Sequence, residues 1–212
     1  MYFSPLPPAY APEEYEPLIP AEGMRAHLVH RENCALLLQV ATDGYPAARE
    51  MDLVTLCRNA SRFPRIVSED IRFGSGGLYC HDLYFRYLVP RRKASLPGGM
   101  AEEVLRGSFG SVDSFFYRFR MTAAETRLNG FLFASVRQRN GRWQMMLSVT
   151  EGYRLPQRQY GIPVFALDLW EHAYMTAWRE NRSGYADAYL RQLDWDAVSA
   201  FLLEASEGKH RY

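Results

Sequence analysis

One seven-residue stretch decides how this chain is interpreted: Asp168-Leu169-Trp170-Glu171-His172-Ala173-Tyr174. It follows a short apolar run at 164–167 that predicts a β-strand, and it leads into a helical pattern at about 172–181. At this strand-to-helix junction Asp168 and His172 stand four residues apart, so the carboxylate and the imidazole can turn toward one point. The pair predicts two ligands of a metal site, provided that further donors converge on the same point.

Two other histidines stand where a ligand could lie. His27 and His81 each fall among apolar residues inside a predicted helix. A single histidine on an apolar helix face is more often a core residue than a ligand, so the prediction rests on the whole set. Three imidazoles and one carboxylate suit iron, manganese or zinc and leave room for a solvent ligand. We therefore predict one mononuclear site built from His27, His81, Asp168 and His172.

The N-terminal part is predicted to form an extended, proline-rich arm at 2–20 and then two long helices. Apolar residues recur at helical spacing from Ala21 to Val40 and again at about 75–89. Between these helices, 47–60 and 64–72 are each compatible with a short helix or a loop.

A linker is predicted at 90–99, because this segment contains two prolines and two glycines. The expected division of the chain is therefore an arm with a helical hairpin at 1–93 and a second domain at 94–212.

The second domain is predicted to mix helices and strands. Asn140-Gly141 is a strong hairpin signal between the strands, because both residues tolerate positive φ. The predicted strands are Phe131–Arg137, Arg142–Thr150 and Val164–Leu167, and the remaining helices are 100–107, 111–128, 172–181 and 194–205. The fold class is therefore α+β, with an all-helical hairpin joined to a domain that carries a small sheet.

Composition excludes several classes of function. The chain has 25 Lys and Arg against 24 Asp and Glu, so charge gives no reason to expect nucleic acid or anionic membrane as a partner. Its three cysteines are widely spaced and odd in number, which indicates neither a disulfide framework nor a zinc ribbon and favours a reducing cytoplasm. No apolar run approaches the length of a membrane span, and the N-terminus does not resemble a signal peptide, so we expect a soluble, unprocessed protein.

Residues 168–174 resemble the Asp-x-Trp-Glu-His-Ala-Tyr signature of the iron/manganese superoxide dismutases. The segments 19–27 and 76–81 are similar to the family's helices that supply the first and second ligands, and Asn140-Gly141 matches as well. The resemblance implies a helical hairpin followed by a domain with a three-stranded antiparallel sheet, and one iron or manganese ion per chain. It also implies a homodimer that converts superoxide into dioxygen and peroxide.

The resemblance implies roles for several residues around the ligands. Asp168 would orient the metal-bound solvent, and the Trp170 side chain would form one side of the site. Glu171 would cross the dimer interface to His172 of the partner subunit. The candidate catalytic residues are Arg31, Glu151, Trp170 and Tyr174.

The chain departs from the family pattern near the expected substrate entrance. The family's gateway histidine and tyrosine fall on Arg31 and Ala35, and the second tyrosine of the signature is Met175. A glutamine that bonds the metal-bound solvent is replaced by Glu151 or, with a slip of one residue, by Gly152. Glu151 could ligate the metal, pair with Arg31 or point to solvent.

These departures leave three hypotheses for function. The leading one is superoxide dismutation, because all four ligands and Glu171 are present. The alternative is a metal oxidase or oxygenase that acts on a small organic substrate, with Arg31 anchoring an anionic group. The third is a non-catalytic relative within an assembly, which the complete ligand set disfavours because four such polar groups are costly to bury without a metal.

Overall fold

The computed structural model describes residues 3–5 and 7–209; residues 1–2 of the predicted first domain, residue 6 and residues 210–212 of the second lie outside the described part. The helices are α1 (Ala21–Ala41), α2 (Leu53–Arg58), α3 (Arg65–Phe85), α4 (Gly99–Phe109), α5 (Val112–Glu125), α6 (Glu171–Trp178), α7 (Arg182–Leu190) and α8 (Trp195–Ser206). The strands are β1 (Gly130–Arg139), β2 (Arg142–Glu151) and β3 (Ile162–Asp168).

The long helices α1 and α3 pack against each other as the predicted hairpin. They approach closely at Gly74, where a Cβ atom would lie 2.8 Å from the Leu38 Cβ and 2.9 Å from the Cys34 carbonyl oxygen. No larger residue fits at position 74 unless the helices separate. This close packing brings His27 of α1 and His81 of α3 to the same depth of the hairpin, with ring centroids 5.1 Å apart.

The sheet is antiparallel throughout, with strand order β2-β1-β3. Asn140 and Gly141 form the turn between β1 and β2 with φ of 51° and 74°, as their sequence predicted. Both faces of β1 are buried: Leu132 belongs to the core with the C-terminal helices, whereas Phe131 and Phe133 belong to the core with the hairpin. The end of β3 is therefore held against the hairpin, and the predicted α+β fold with a three-stranded antiparallel sheet is confirmed.

The observed helices differ from the sequence prediction at two places. Helix α3 begins at Arg65, ten residues before the predicted start, because its first turns leave Ile66 86% exposed and Phe73 47% exposed and so obscure the pattern of buried residues. Helix α7 was not predicted. Its start is defined by the Asn181 side chain, which accepts a hydrogen bond from the Gly184 amide, and not by apolar periodicity.

Among the described residues, each helix is either too short or too polar to cross a lipid bilayer.

Candidate metal centre

Four elements each supply one side chain to a single buried cluster. His27 comes from the second turn of α1, His81 from the last turn but one of α3, Asp168 from the end of β3 and His172 from the first turn of α6. One ligating atom from each residue lies within 4.8 Å of the others. The structure thus brings together the four residues that were predicted as metal ligands.

The cluster is centred on one carboxylate oxygen. Oδ2 of Asp168 lies 3.0 Å from Nε2 of His27, 3.2 Å from Nε2 of His172 and 3.7 Å from Nε2 of His81. The other oxygen, Oδ1, accepts a hydrogen bond of 2.8 Å from the Trp170 amide. Three nitrogen donors facing one anionic oxygen form a set that suits a borderline metal cation.

The tautomer of His81 leaves one ring nitrogen free to act as a ligand. Its Nδ1 donates a hydrogen bond of 2.7 Å to the Gly77 carbonyl, so Nε2 carries the lone pair that faces the cluster. Within the described residues this buried Nε2 has no hydrogen-bond partner. An unpaired buried acceptor costs about 1–3 kcal/mol, and a metal ion would remove that cost. The residues present therefore fit a metal.

Burial sets the charges of the cluster. It lowers the pKa of His27, and it lowers the pKa of His81 to about 3 with a contribution from the neighbouring His27. Burial alone would raise the pKa of Asp168, but hydrogen bonds from His172 and His27 outweigh it and hold that pKa below its usual value. At neutral pH the cluster holds neutral His27 and His81 and an anionic carboxylate, the protonation states that bind metal.

Comparisons with known proteins agree with this geometry. Residues 97–201 match the family description "Iron/manganese superoxide dismutases, C-terminal domain". The chain belongs to the iron/manganese superoxide dismutase family. It is 27% identical over 191 residues to "Superoxide dismutase [Mn]" of Listeria innocua serovar 6a, covering 90% of this chain and 92% of that protein. It is also 27% identical over 202 residues to "Superoxide dismutase [Mn/Fe]" of Methylomonas sp. (strain J), covering 94% and 98%.

A third relative is "Superoxide dismutase [Mn] 1" of Leptolyngbya boryana, 26% identical over 196 residues, covering 92% of this chain and 77% of that protein. The matched C-terminal domain contains Asp168 and His172, whereas His27 and His81 lie N-terminal to it. The alignments with the three relatives extend over nearly the whole chain, so family membership is not restricted to the matched domain.

Trp170 and Tyr174, two of the predicted catalytic residues, occupy different environments in this superoxide dismutase family member. The Trp170 ring lies 6.3 Å from His172 and stacks on Tyr153 at 5.5 Å, so it forms part of the wall of the cluster. The hydroxyl of buried Tyr174 accepts a hydrogen bond of 2.9 Å from Arg182, which joins α6 to α7. This hydroxyl is therefore engaged away from the ligands.

Arg31 is buried and paired, in contrast to the expected anchor for a substrate. Its Nε and Nη2 atoms lie 2.9 Å and 2.6 Å from Oδ1 of Asp82, the residue that follows His81 on α3. The guanidinium also lies over the Phe85 ring at 5.6 Å. The Arg31 side chain thus connects α1 to α3.

Glu151 lies outside the cluster and is exposed. It is the last residue of β2, opposite Gly130, and it lines a surface cleft with Arg72 and Phe73. Gly152 then turns the backbone with a φ of 60°, and the next side chain, Tyr153, points inward to lie 5.6 Å from His81. The strand end reaches the metal centre through Tyr153, two residues after Glu151.

Sequence reasoning also missed His30. Its ring stacks on that of His172, with centroids 4.2 Å apart and planes 21° from parallel, on the exposed side of the cluster. A signal was available, because residues three apart share a helix face and His30 follows the ligand His27 by three. The family resemblance places the gateway histidine one residue later, at Arg31.

Proposed function

We propose that this protein is an oxidoreductase that dismutates superoxide at a single iron or manganese ion. The observation that carries the proposal is the convergence of three imidazole Nε2 atoms on Oδ2 of Asp168 inside a site that is almost fully buried. Membership of a family whose relatives are named manganese or manganese/iron superoxide dismutases supports the choice of reaction and metals.

His27, His81, His172 and Asp168 would hold the ion. When bound, iron or manganese supplies one-electron exchange in both directions, so that one superoxide is oxidised to dioxygen and a second is reduced to peroxide. The Asp168 carboxylate would offset part of the positive charge of the ion. The Trp170 amide fixes the orientation of this carboxylate. The aromatic wall of Trp170, Tyr153 and Phe131 limits the access of water and larger molecules.

His30 would supply or guide protons at the mouth of the site. It is the exposed imidazole that contacts a ligand, and peroxide formation consumes protons. Its pKa is lowered by partial burial and then by the nearby His172, which favours a neutral ring that can exchange protons with solvent.

A homodimer completes the proposal. Glu171 begins α6 next to the ligand His172, and its side chain is exposed in the described chain. A second copy related by two-fold symmetry would allow Glu171 to accept a hydrogen bond from His172 of the partner subunit, which would hold that ligand.

The alternative, oxidation of a small organic substrate, depends on an anion anchor at Arg31. The ion pair with Asp82 already engages that guanidinium, so this feature favours superoxide.

Metal content and activity together test the proposal. The purified protein should contain one iron or manganese per chain by elemental analysis, and it should consume superoxide in proportion to that metal. A screen of small organic acids and phenols should show no metal-dependent oxidation. Protein with a full complement of iron or manganese and no superoxide turnover would contradict the proposal, and turnover of an organic compound would support the alternative.

A further inference from the structure

A thiol and a phenol lie side by side next to the metal ligands. Cys34 of α1 and Tyr153 of the loop after β2 are 3% and 8% exposed, they belong to the same buried core, and each group influences the pKa of the other. The Tyr153 ring lies 5.6 Å from the ring of His81. Neither residue belongs to the four-ligand cluster. The pair is therefore close to the metal centre without taking part in ligation.

Gly77 of α3 provides the space in which the sulfur and the ring meet. A Cβ atom at this position would lie 2.5 Å from the Cys34 Sγ and 3.3 Å from Cδ2 of Tyr153. The sulfur and one edge of the ring thus occupy the volume that a side chain at position 77 would need. On that edge Cδ2 is bonded to Cε2, the carbon next to the one that bears the hydroxyl.

Both groups stay protonated at neutral pH. Burial raises the pKa of Cys34 to about 12 and also raises the pKa of Tyr153. A thiol reacts with peroxide by itself mainly as the thiolate, so direct oxidation of Cys34 to a sulfenic acid is disfavoured. Oxidation of this pair has to remove a proton and an electron from each partner.

We propose that hydrogen peroxide formed at the metal centre joins Cys34 Sγ to Cε2 of Tyr153 through a thioether bond. The S–H bond and one aromatic C–H bond break and one C–S bond forms. The two electrons and two protons that are released reduce one hydrogen peroxide to two water molecules. The source of the peroxide rests on the proposed superoxide dismutation, whereas the site of the bond rests on the placement of Cys34, Tyr153 and Gly77.

The chain contains its own controls in the two other cysteines. Cys57 is also buried, but its sulfur contacts the Arg72 carbonyl oxygen at 3.7 Å. Cys80 is fully buried inside α3. Trypsin separates all three cysteines, because Cys34 lies in peptide 32–49, Cys57 in 50–58 and Cys80 in 73–86, while Tyr153 lies in 143–154.

The experiment is peptide mapping of the metal-loaded full-length protein before and after addition of hydrogen peroxide. We expect peptides 32–49 and 143–154 to appear as one species whose mass is their sum minus two hydrogen atoms, and which survives thiol reduction. Cys34→Ala should abolish it, and so should Tyr153→Phe, which keeps the packing of the ring but removes the hydroxyl that activates Cε2. Cys57→Ala should leave it unchanged.

Several outcomes overturn the inference. These are unlinked peptides after peroxide treatment, peptide 32–49 that gains only oxygen atoms, and a link that persists in Tyr153→Phe. Superoxide turnover of the same preparations is measured separately. An active dismutase without the link rejects the thioether alone, and a linked protein that does not consume superoxide rejects the proposed function alone.

Discussion

The imidazole of His30 lies flat against the imidazole of the ligand His172, with ring centroids 4.2 Å apart. His172 is the ligand that is partly exposed, at 16%, so His30 stands between solvent and the least buried side of the cluster. The proposed function thereby has a proton-exchanging group that lies beside a predicted metal ligand and is not itself a ligand.

Replacement of His30 by alanine should lower superoxide turnover and leave the metal content unchanged. Proton transfer by a positioned side chain commonly contributes a factor of about 100 or more, and solvent can replace part of it, so we expect a loss of roughly tenfold. Turnover per bound metal measures the effect, with Val29→Ala as the control because Val29 is the adjacent exposed residue. Turnover equal to that of the unmodified protein would remove the role proposed for His30.

Replacement of His81 by alanine should remove the metal and lower the melting temperature together. A ligand present at several hundred times its Kd stabilises the folded state by about 3 kcal/mol, which corresponds to roughly 6–12 °C for a chain of this size. Elemental analysis and thermal denaturation measure the two effects. Chelator-treated unmodified protein is the reference and should melt near the variant. Metal loss without a change in melting temperature would mean that packing alone holds α3 to the second domain.

Arg31→Ala should destabilise the protein more than it affects activity. The substitution leaves the Asp82 carboxylate, which is 29% exposed, without the guanidinium that now pairs with it. Loss of one partner of a largely buried pair costs about 3 kcal/mol. Denaturant unfolding measures the cost, and the double variant Arg31→Ala/Asp82→Asn should recover part of it. If turnover per metal falls strongly while the free energy of unfolding is unchanged, Arg31 acts on the substrate instead.

The stability of the metal-free protein should fall as the pH is lowered below about 6.5. The pKa of His81 is lowered from 6.5 to about 3 in the folded state, and that of His27 is lowered as well. The unfolded chain therefore binds more protons between these values, so the contribution of the two residues is present above pH 6.5 and is lost toward pH 3. Melting temperatures of chelator-treated protein test this, and His81→Gln should reduce the slope. A melting temperature that is constant from about pH 7 to about pH 5 would contradict it.

Glu171→Ala should weaken the proposed dimer. If Glu171 accepts a hydrogen bond from His172 of the partner subunit, its removal should raise the dissociation constant about tenfold or more. Sedimentation over a range of concentrations measures the constant. Glu180→Ala is the control, since Glu180 is an exposed acid just beyond the same helix. Dissociation constants that are identical in all three proteins would show that Glu171 does not contribute to the interface.

Local patterns in the sequence predicted most of the helices and strands, and the family signature at 168–174 added which side chains converge at the centre. The spacing of Asp168 and His172 follows from the geometry of a strand that leads into a helix, and the Asn140-Gly141 turn follows from the backbone freedom of its two residues. These features depend on neighbours along the chain. They could be predicted without knowing which segments lie next to one another in space.

Only the tertiary structure decided which side chains surround that centre. Successive residues of a helix point about 100° apart, so the neighbours His30 and Arg31 face different partners, His172 and Asp82 respectively. The turn at Gly152 likewise sends Glu151 to the surface and Tyr153 inward against Cys34 and His81. Such contacts join segments that are distant in sequence, and they are set by helix rotation, backbone turns and the space left by Gly77, which no periodic pattern along the chain records.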